Sequence, residues 1–287
     1  MRLTTLQKLI LLSGLLLAIA GNCLSQETKK LTAEEVIASH LESIGTAEAR
    51  SAFKSVVAQG AVTGTIRVGG SGTSKGGAVM ASQGSMSLMG FIFGQQEQAN
   101  EKMAFNGRKL TLGELRPGER TRFAGFLLTH DIVFREGLIG GTLSTAWPFL
   151  NTEAGKGTLR YNGTKKVNDR KAHVLSYEPR NGGNLEIKLY FDAETFHHVL
   201  TEYQQQFDAP TVTTPKLAAI QRGTRLKMTE EFSDFRRESN VILPHTYKIQ
   251  LTFDTDNNPL LQDWVVTLSK FLFNKTLDAK QFDLTAQ

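Results

Sequence analysis

The sequence predicts an α+β chain that is mainly antiparallel β: a strongly curved, half-open β-barrel of about 9–11 strands. An N-terminal helix and a central helical insert are expected to cover its concave face. Three observations carry this expectation. Apolar residues repeat at helical spacing only near 31–45 and 119–141, and at a spacing of two elsewhere. The period-two segments follow one another at hairpin distance, with Gly- and Asn-bearing turns between them. An up-and-down sheet of that length curls on itself, and its inner side must be filled by the few elements that are not strand.

The first residues are not fold. Arg2 and Lys8 precede an apolar run of 13 residues, LILLSGLLLAIAG (9–21), and NCLSQ follows. That run is too short to span a bilayer and reads as a secretory signal peptide over 1–25, cleaved after Ser25. Acylation at Cys23 is the lesser alternative, because Asn22 precedes it where a small residue normally stands. The chain is therefore expected to be exported, with 26–287 as one domain. Cys23 is the one cysteine, so the exported chain has no disulfide, thiolate nucleophile or cysteine-held metal. Net charge is +5, or +3 once Arg2 and Lys8 leave with the signal peptide, and the charges are mixed along the chain. This gives no concentrated basic face for nucleic acid.

LTAEEVIASHLESIG (31–45) is an amphipathic helix. Thr32 and Glu35 have capping-box spacing, Gly45 is placed for a left-handed end, and Val36, Ile37, Leu41 and Ile44 form the apolar stripe. His40 lies at the edge of that stripe, as a packed residue. A short helical turn (46–55) follows, then VVAQGAVTGTIRV (56–68), whose in-facing glycines suggest curvature or a close backbone. GGSGTSKGG (69–77) reads as a turn. SMSLMGFIFG (85–94) is apolar on both faces, with Met86, Leu88 and Ile92 on one and Met89, Phe91 and Phe93 on the other, and so must be covered on both. EKMAFNGRKLTL (101–112), with Met103 and Phe105, is a hairpin around Asn106–Gly107. The insert (119–150) is helical through 119–141 and breaks near Thr129–Asp131. Further strands follow to about 273, interrupted by a polar, proline-bearing connection at 208–224.

Chemistry is sparse. The six histidines have no zinc spacing, and His197 and His198 point to opposite faces of a strand. His130 and Asp131 are adjacent on a helix and do not face each other, so Asp131 is expected to cap and His130 to lie at the surface or pack. Glu230 and Glu231 are expected on a strand surface. Asp254-Thr-Asp256-Asn-Asn258 lacks the glycine and distal glutamate of a calcium loop. No catalytic residue, metal ligand or cofactor is assigned.

The helix LTAEEVIASHLESIG, the strand VVAQGAVTGTI, LYFDAETFHHVLTEY, FSDFRRESNVILPHTYKI and the tail NKTLDAKQFDL together resemble the outer-membrane lipoprotein-sorting family of the LolA/LolB fold. The resemblance runs over about 30–287; the 119–150 insert and the 208–224 connection depart from the simple pattern. It implies a non-enzymatic carrier of an acyl chain, lipid or lipoprotein in envelope biogenesis, in the periplasm of a diderm bacterium and in transient contact with a membrane surface or envelope proteins. The expected site is an apolar hollow bounded by Val36, Ile37, Leu41, Ile44, Met86, Leu88, Met89, Phe91, Phe93, Met103 and Phe105, with a hinged helix as gate. Two alternatives stand beside it: an extracytoplasmic sensor or protein-interaction module using 113–122 and 208–224, and a hydrolase built on His130 and Asp131.

Overall fold

The computed structural model describes residues 31–67, 71–94, 99–114, 118–150, 157–180, 182–206, 225–254 and 260–286. The signal peptide with Cys23, the 208–224 connection and most of the Asp254–Asn258 loop lie outside them. Helices α1 (Ala33–Ile44) and α2 (Ala47–Ser51) lead into β1 (Ser55–Arg67), β2 (Ser71–Gln83), β3 (Met86–Phe93), β4 (Glu101–Phe105) and β5 (Leu110–Leu112). The insert contains α3 (Arg122–Thr129), α4 (Ile132–Arg135) and a 3-10 turn at Gly141–Leu143. Then come β6 (Thr158–Val167), β7 (Arg170–Glu178), β8 (Glu186–Asp192) and β9 (His198–Gln206). The last strands are β10 (Arg225–Glu238), β11 (Val241–Asp254) and β12 (Leu260–Phe273), followed by 3-10 turns at Ala279–Phe282 and Leu284–Ala286.

The sheet is one antiparallel layer of 12 strands in the order β5-β4-β3-β2-β1-β12-β11-β10-β9-β8-β7-β6. This is one strand more than the expected range; the three-residue β5 is a strand of its own. Every neighbour in the order is also a neighbour in sequence except at the β1–β12 seam, where Val62 faces Val266. The sheet stays open, with β5 and β6 as its edges.

Local chemistry explains the elements. The Thr32 hydroxyl accepts from the Glu35 N–H at 3.2 Å, and the Glu35 carboxylate accepts from the Thr32 N–H at 2.9 Å, so the capping box is complete. Gly45 has φ 155° and ψ −179°, a mirror-extended rather than left-handed end; a Cβ there would stand 2.8 Å from the Asn240 carbonyl. The expected turn at 69–77 is corrected: β2 begins at Ser71, and Thr73 and Lys75 pair with Thr65 and Thr63. Of its described glycines Gly76 serves close approach, as Gly60 does on β1, while Gly72 and Gly77 have nothing within 4 Å. A Cβ on Gly60 would lie 1.9 Å from the Thr267 carbonyl, and one on Gly76 2.1 Å from that of Ile92. At Gly60 the β1–β12 register also shifts, which bends the sheet. Asn106 Oδ1 accepts from the N–H groups of Arg108 and Lys109, and Gly107 takes φ 88°, closing the expected hairpin.

One apolar face of β3 is covered as anticipated; the other is covered only in part, with Met86 and Leu88 half-buried and Ile92 42% exposed. Met89, Phe91 and Phe93 share the inner face with Met80, Met103 and Phe105. The opposite face meets the C-terminal 3-10 turn Ala279–Phe282, whose Phe282 is fully buried, and Leu284 N–H donates to Thr111 Oγ1 at 3.0 Å. The inner face is lined further by Trp264 and Val266 of β12, Tyr247, Ile249 and Leu251 of β11, and Met228 and Phe232 of β10, all buried. Among the described residues, no helix is long and apolar enough to cross a membrane.

Candidate functional site

The inner face is where the sequence places a hollow, and the structure separates the residues expected to bound it. α1 lies against β11 and β6, and buries Val36, Ile37 and Ile44 with Leu41 half-buried. Met89, Phe91, Phe93, Met103 and Phe105 lie on the other half of the sheet, in β3 and β4. Between the two groups runs the insert, with Phe123, Leu127, Phe134, Leu138, Leu143, Trp147 and Phe149 all buried. Phe123 packs on Trp264 with ring centroids 4.6 Å apart, and Phe134 lies 6.1 Å from Phe105.

Met86 and Leu88 are corrected. They pair with Gln83 and Ala81, on the face opposite Met89 and Phe91, so they belong to the side that the C-terminal tail covers. A period of two puts neighbours on opposite faces, and apolarity on both had merged them into one wall. Between Met80, Met89, Phe134, Ile139 and Leu143 a cavity of about 20 Å³ remains, room for about one water molecule.

What the sequence did not suggest is a polar centre beneath the insert. Glu230 is fully buried on β10. Its carboxylate accepts from Tyr203 Oη at 2.6 Å, from Tyr247 Oη, and from the Gly140 N–H of the insert at 2.7 Å. Burial dominates and pushes its pKa up to about 7, while the three donors pull it back; burial first, and the same carboxylate next, raise both tyrosines well above their usual range. The expected surface position is thus wrong for Glu230 and holds for half-buried Glu231, which faces the other way beside Lys248. The signal was present in the alternation Leu226, Met228, Glu230, Phe232, where one carboxylate interrupts an apolar face.

A second polar knot fastens α1. His40 Nδ1 donates to the Phe196 carbonyl at 2.9 Å, and its Nε2 accepts from Trp147 Nε1 at 3.1 Å. This fixes the tautomer, and burial holds the pKa down at about 3. The packed reading of His40 therefore holds, with both ring nitrogens engaged. Trp147 stacks on His198 at 4.6 Å, and His198 Nε2 meets Thr201 Oγ at 2.8 Å. An imidazole at that distance can activate a hydroxyl, yet both groups are buried from solvent and covered by Trp147 and Phe232. His197 and His198 do face apart: His197 stacks on Phe235.

The acid–base pair considered at His130 and Asp131 does not assemble. His130 is buried against Phe126, while Asp131 pairs with Arg135 at 2.6 Å and makes no cap bond, which corrects the expected capping role. Glu101, on the inner face of β4, is buried with one oxygen accepting from Thr121 and the other unpartnered; burial raises its pKa to about 8. Among the described residues no group of His, Cys, Asp and Glu could hold a metal ion.

No protein-family model matches this chain, and no curated protein is similar to it in sequence. Several solved structures are similar. A LolA superfamily protein from Nitrosomonas europaea is 11% identical, over 90% of this chain and 100% of its own, at a TM-score of 0.42. An outer membrane lipoprotein-sorting protein domain from Vibrio parahaemolyticus is 12% identical, over 88% and 97%, at 0.43. A DUF1329 family protein from Desulfovibrio piger is 9% identical, over 88% and 98%, at 0.37.

Proposed function

We propose that this chain is an exported, non-enzymatic binding protein of the bacterial envelope that takes an acyl chain, of a lipid or a lipoprotein, onto the inner face of β2–β4. The observation that carries the reading is how that face is covered. Met80, Met89, Phe91, Phe93, Met103 and Phe105 are overlain by a non-sheet segment tied to the sheet by bonds of Gly140 to Glu230, Thr145 to Ser82 and Gly84, Thr121 to Glu101 and Glu136 to Tyr177. Methionine and phenylalanine adapt to guests of irregular shape. Gly137, Gly140 and Gly141, with φ of 70°, 77° and 50°, give the segment backbone positions at which it can turn.

The gate is then the 134–143 part of the insert rather than α1, which His40 ties to the Phe196 carbonyl and to Trp147 at the far end of the insert. The two sides of the exchange are comparable in magnitude. Lifting Phe134, Ile139 and Leu143 from the face costs about 6 kcal/mol at about 2 kcal/mol per side chain. The polar ties add about 1 kcal/mol each. A sixteen-carbon chain returns about 12 kcal/mol at about 0.8 kcal/mol per buried methylene. Val36, Ile37, Leu41 and Ile44 form the fixed floor at the other side.

The test is to incubate delipidated protein with membrane extract, repurify it and analyse it by mass spectrometry, beside a Ser82→Cys/Thr145→Cys variant in which a disulfide ties the insert down. Acyl lipid should return with the native protein and with the reduced variant, and not with the oxidised one. A lipid-free native protein would refute acyl binding. Equal uptake by the oxidised variant would refute the insert as gate.

A further inference from the structure

The two edges of the sheet differ in character. β6 is ten residues long, carries Arg160, Lys165 and Lys166, and shifts register between Tyr161 and Thr164. Charges and bulges of this kind discourage pairing with another chain. β5 is Leu-Thr-Leu and has neither.

The ladder shows which way β5 presents its backbone. Asn106 N–H donates to the Lys109 carbonyl at 3.3 Å and Gly113 N–H to the Lys102 carbonyl at 2.8 Å, with Thr111 opposite Ala104 between them. These three pairs are the hydrogen-bonded positions of the β4–β5 ladder. Leu110 and Leu112 are the alternate positions, so their N–H and C=O groups point away from β4. Beside that edge runs a groove of about 660 Å³. It includes Leu128 of α3, 49% exposed, and Leu284 and Thr285 of the tail. Lys102, Lys109 and Arg120 bring positive charge to it; Glu114 is paired with Arg120, and Asp283 lies within electrostatic reach of Lys109.

We propose that β5 is a strand-addition site that takes an extended, acidic segment of a partner polypeptide as a thirteenth strand. The outward N–H and C=O groups of Leu110 and Leu112 supply up to four main-chain hydrogen bonds. Side chains of the guest alternate between faces, so its apolar positions meet Leu128 on one side and Leu284 on the other. Carboxylates beside them meet Lys102 and Lys109. A second copy of this chain is the poorer occupant, since pairing β5 with itself sets these lysines against their own kind.

The test uses the mature chain and an acetylated, amidated ten-residue peptide that alternates valine and threonine between paired glutamates. Binding is followed by fluorescence anisotropy, and the site by amide hydrogen exchange. The peptide should bind saturably and slow exchange at Leu110 and Leu112 at least tenfold. Lys102→Glu/Lys109→Glu and, separately, Leu128→Asp should each weaken binding at least tenfold with unchanged thermal unfolding. Absence of binding would overturn the proposal, as would protection at β6 instead, or equal binding of a peptide flanked by lysines. A dimer that protects the same amides without peptide, seen by sedimentation, would assign the edge to a second copy and overturn it too. None of these outcomes depends on acyl binding.

Discussion

Replacing Glu230 by glutamine should change how stability depends on pH more than it changes stability itself. The buried carboxyl has its pKa raised from 4.5 to about 7. The unfolded chain therefore loses this proton at lower pH than the native one. Below pH 4.5 both states hold it; as pH rises towards 7 the unfolded state is progressively favoured, and above 7 the effect is complete. Two and a half pH units correspond to about 3 kcal/mol of stability lost over that window. Glutamine cannot ionise, but its carbonyl still accepts and its NH₂ can donate to a tyrosine oxygen. Glu101, also raised, tilts the native curve the same way, and His40, held low, tilts it oppositely below pH 6.5. Neither shares a hydrogen-bond partner with Glu230, so both cancel in the difference between the two proteins. Urea unfolding at half-unit steps from pH 4.5 to 8 measures that difference. The native protein's advantage over Glu230→Gln should shrink by about 3 kcal/mol, nearly all before pH 7.5. A difference constant to within about 0.5 kcal/mol would show that the carboxyl is not buried among donors as described.

Other perturbations follow from the same packing. His40→Ala leaves the buried Trp147 N–H without its acceptor and opens a cavity between α1 and the insert; it should cost about 3–4 kcal/mol in urea unfolding at pH 7.5. Gly60→Val places a Cβ 1.9 Å from the Thr267 carbonyl and should abolish the folded state by circular dichroism, whereas Gly72→Ala, with nothing within 4 Å, should be neutral. Phe282→Ala removes the buried anchor of the tail; it should cost about 3 kcal/mol and speed tryptic cleavage at Lys275 and Lys280.

Much of the architecture was readable because local rules and tertiary packing agree. Thr32 and Glu35 cap α1 whatever it packs against, and Asn106–Gly107 closes a hairpin from its own backbone preferences. The insert breaks at His130 and Asp131, where it was expected to. Other features needed partners that no local pattern names. Gly- and Ser-rich 69–77 reads as a turn until the closeness of the Ile92 carbonyl to Gly76 explains a glycine-bearing strand. Met86 and Met89 look alike in composition, and only the β2–β3 register sends them to opposite faces. The polar centre was hidden for a similar reason. Glu230, Tyr203, Tyr247 and Gly140 stand far apart in the chain, and each is unremarkable alone.

The β1–β12 seam has a kinetic consequence. Every other neighbouring pair in the sheet is joined by one connection, whereas Val62 and Val266 meet across 204 positions of chain. Closing a loop of about 200 residues instead of about 20 costs only about 2 kcal/mol more, but such a contact has to wait for both sides to form. β1–β5 and β6–β12 are thus two self-organising ribbons, stitched late along one line. A break in the covalent link between them, in the 151–156 stretch, should leave two fragments able to find each other and rebuild the sheet.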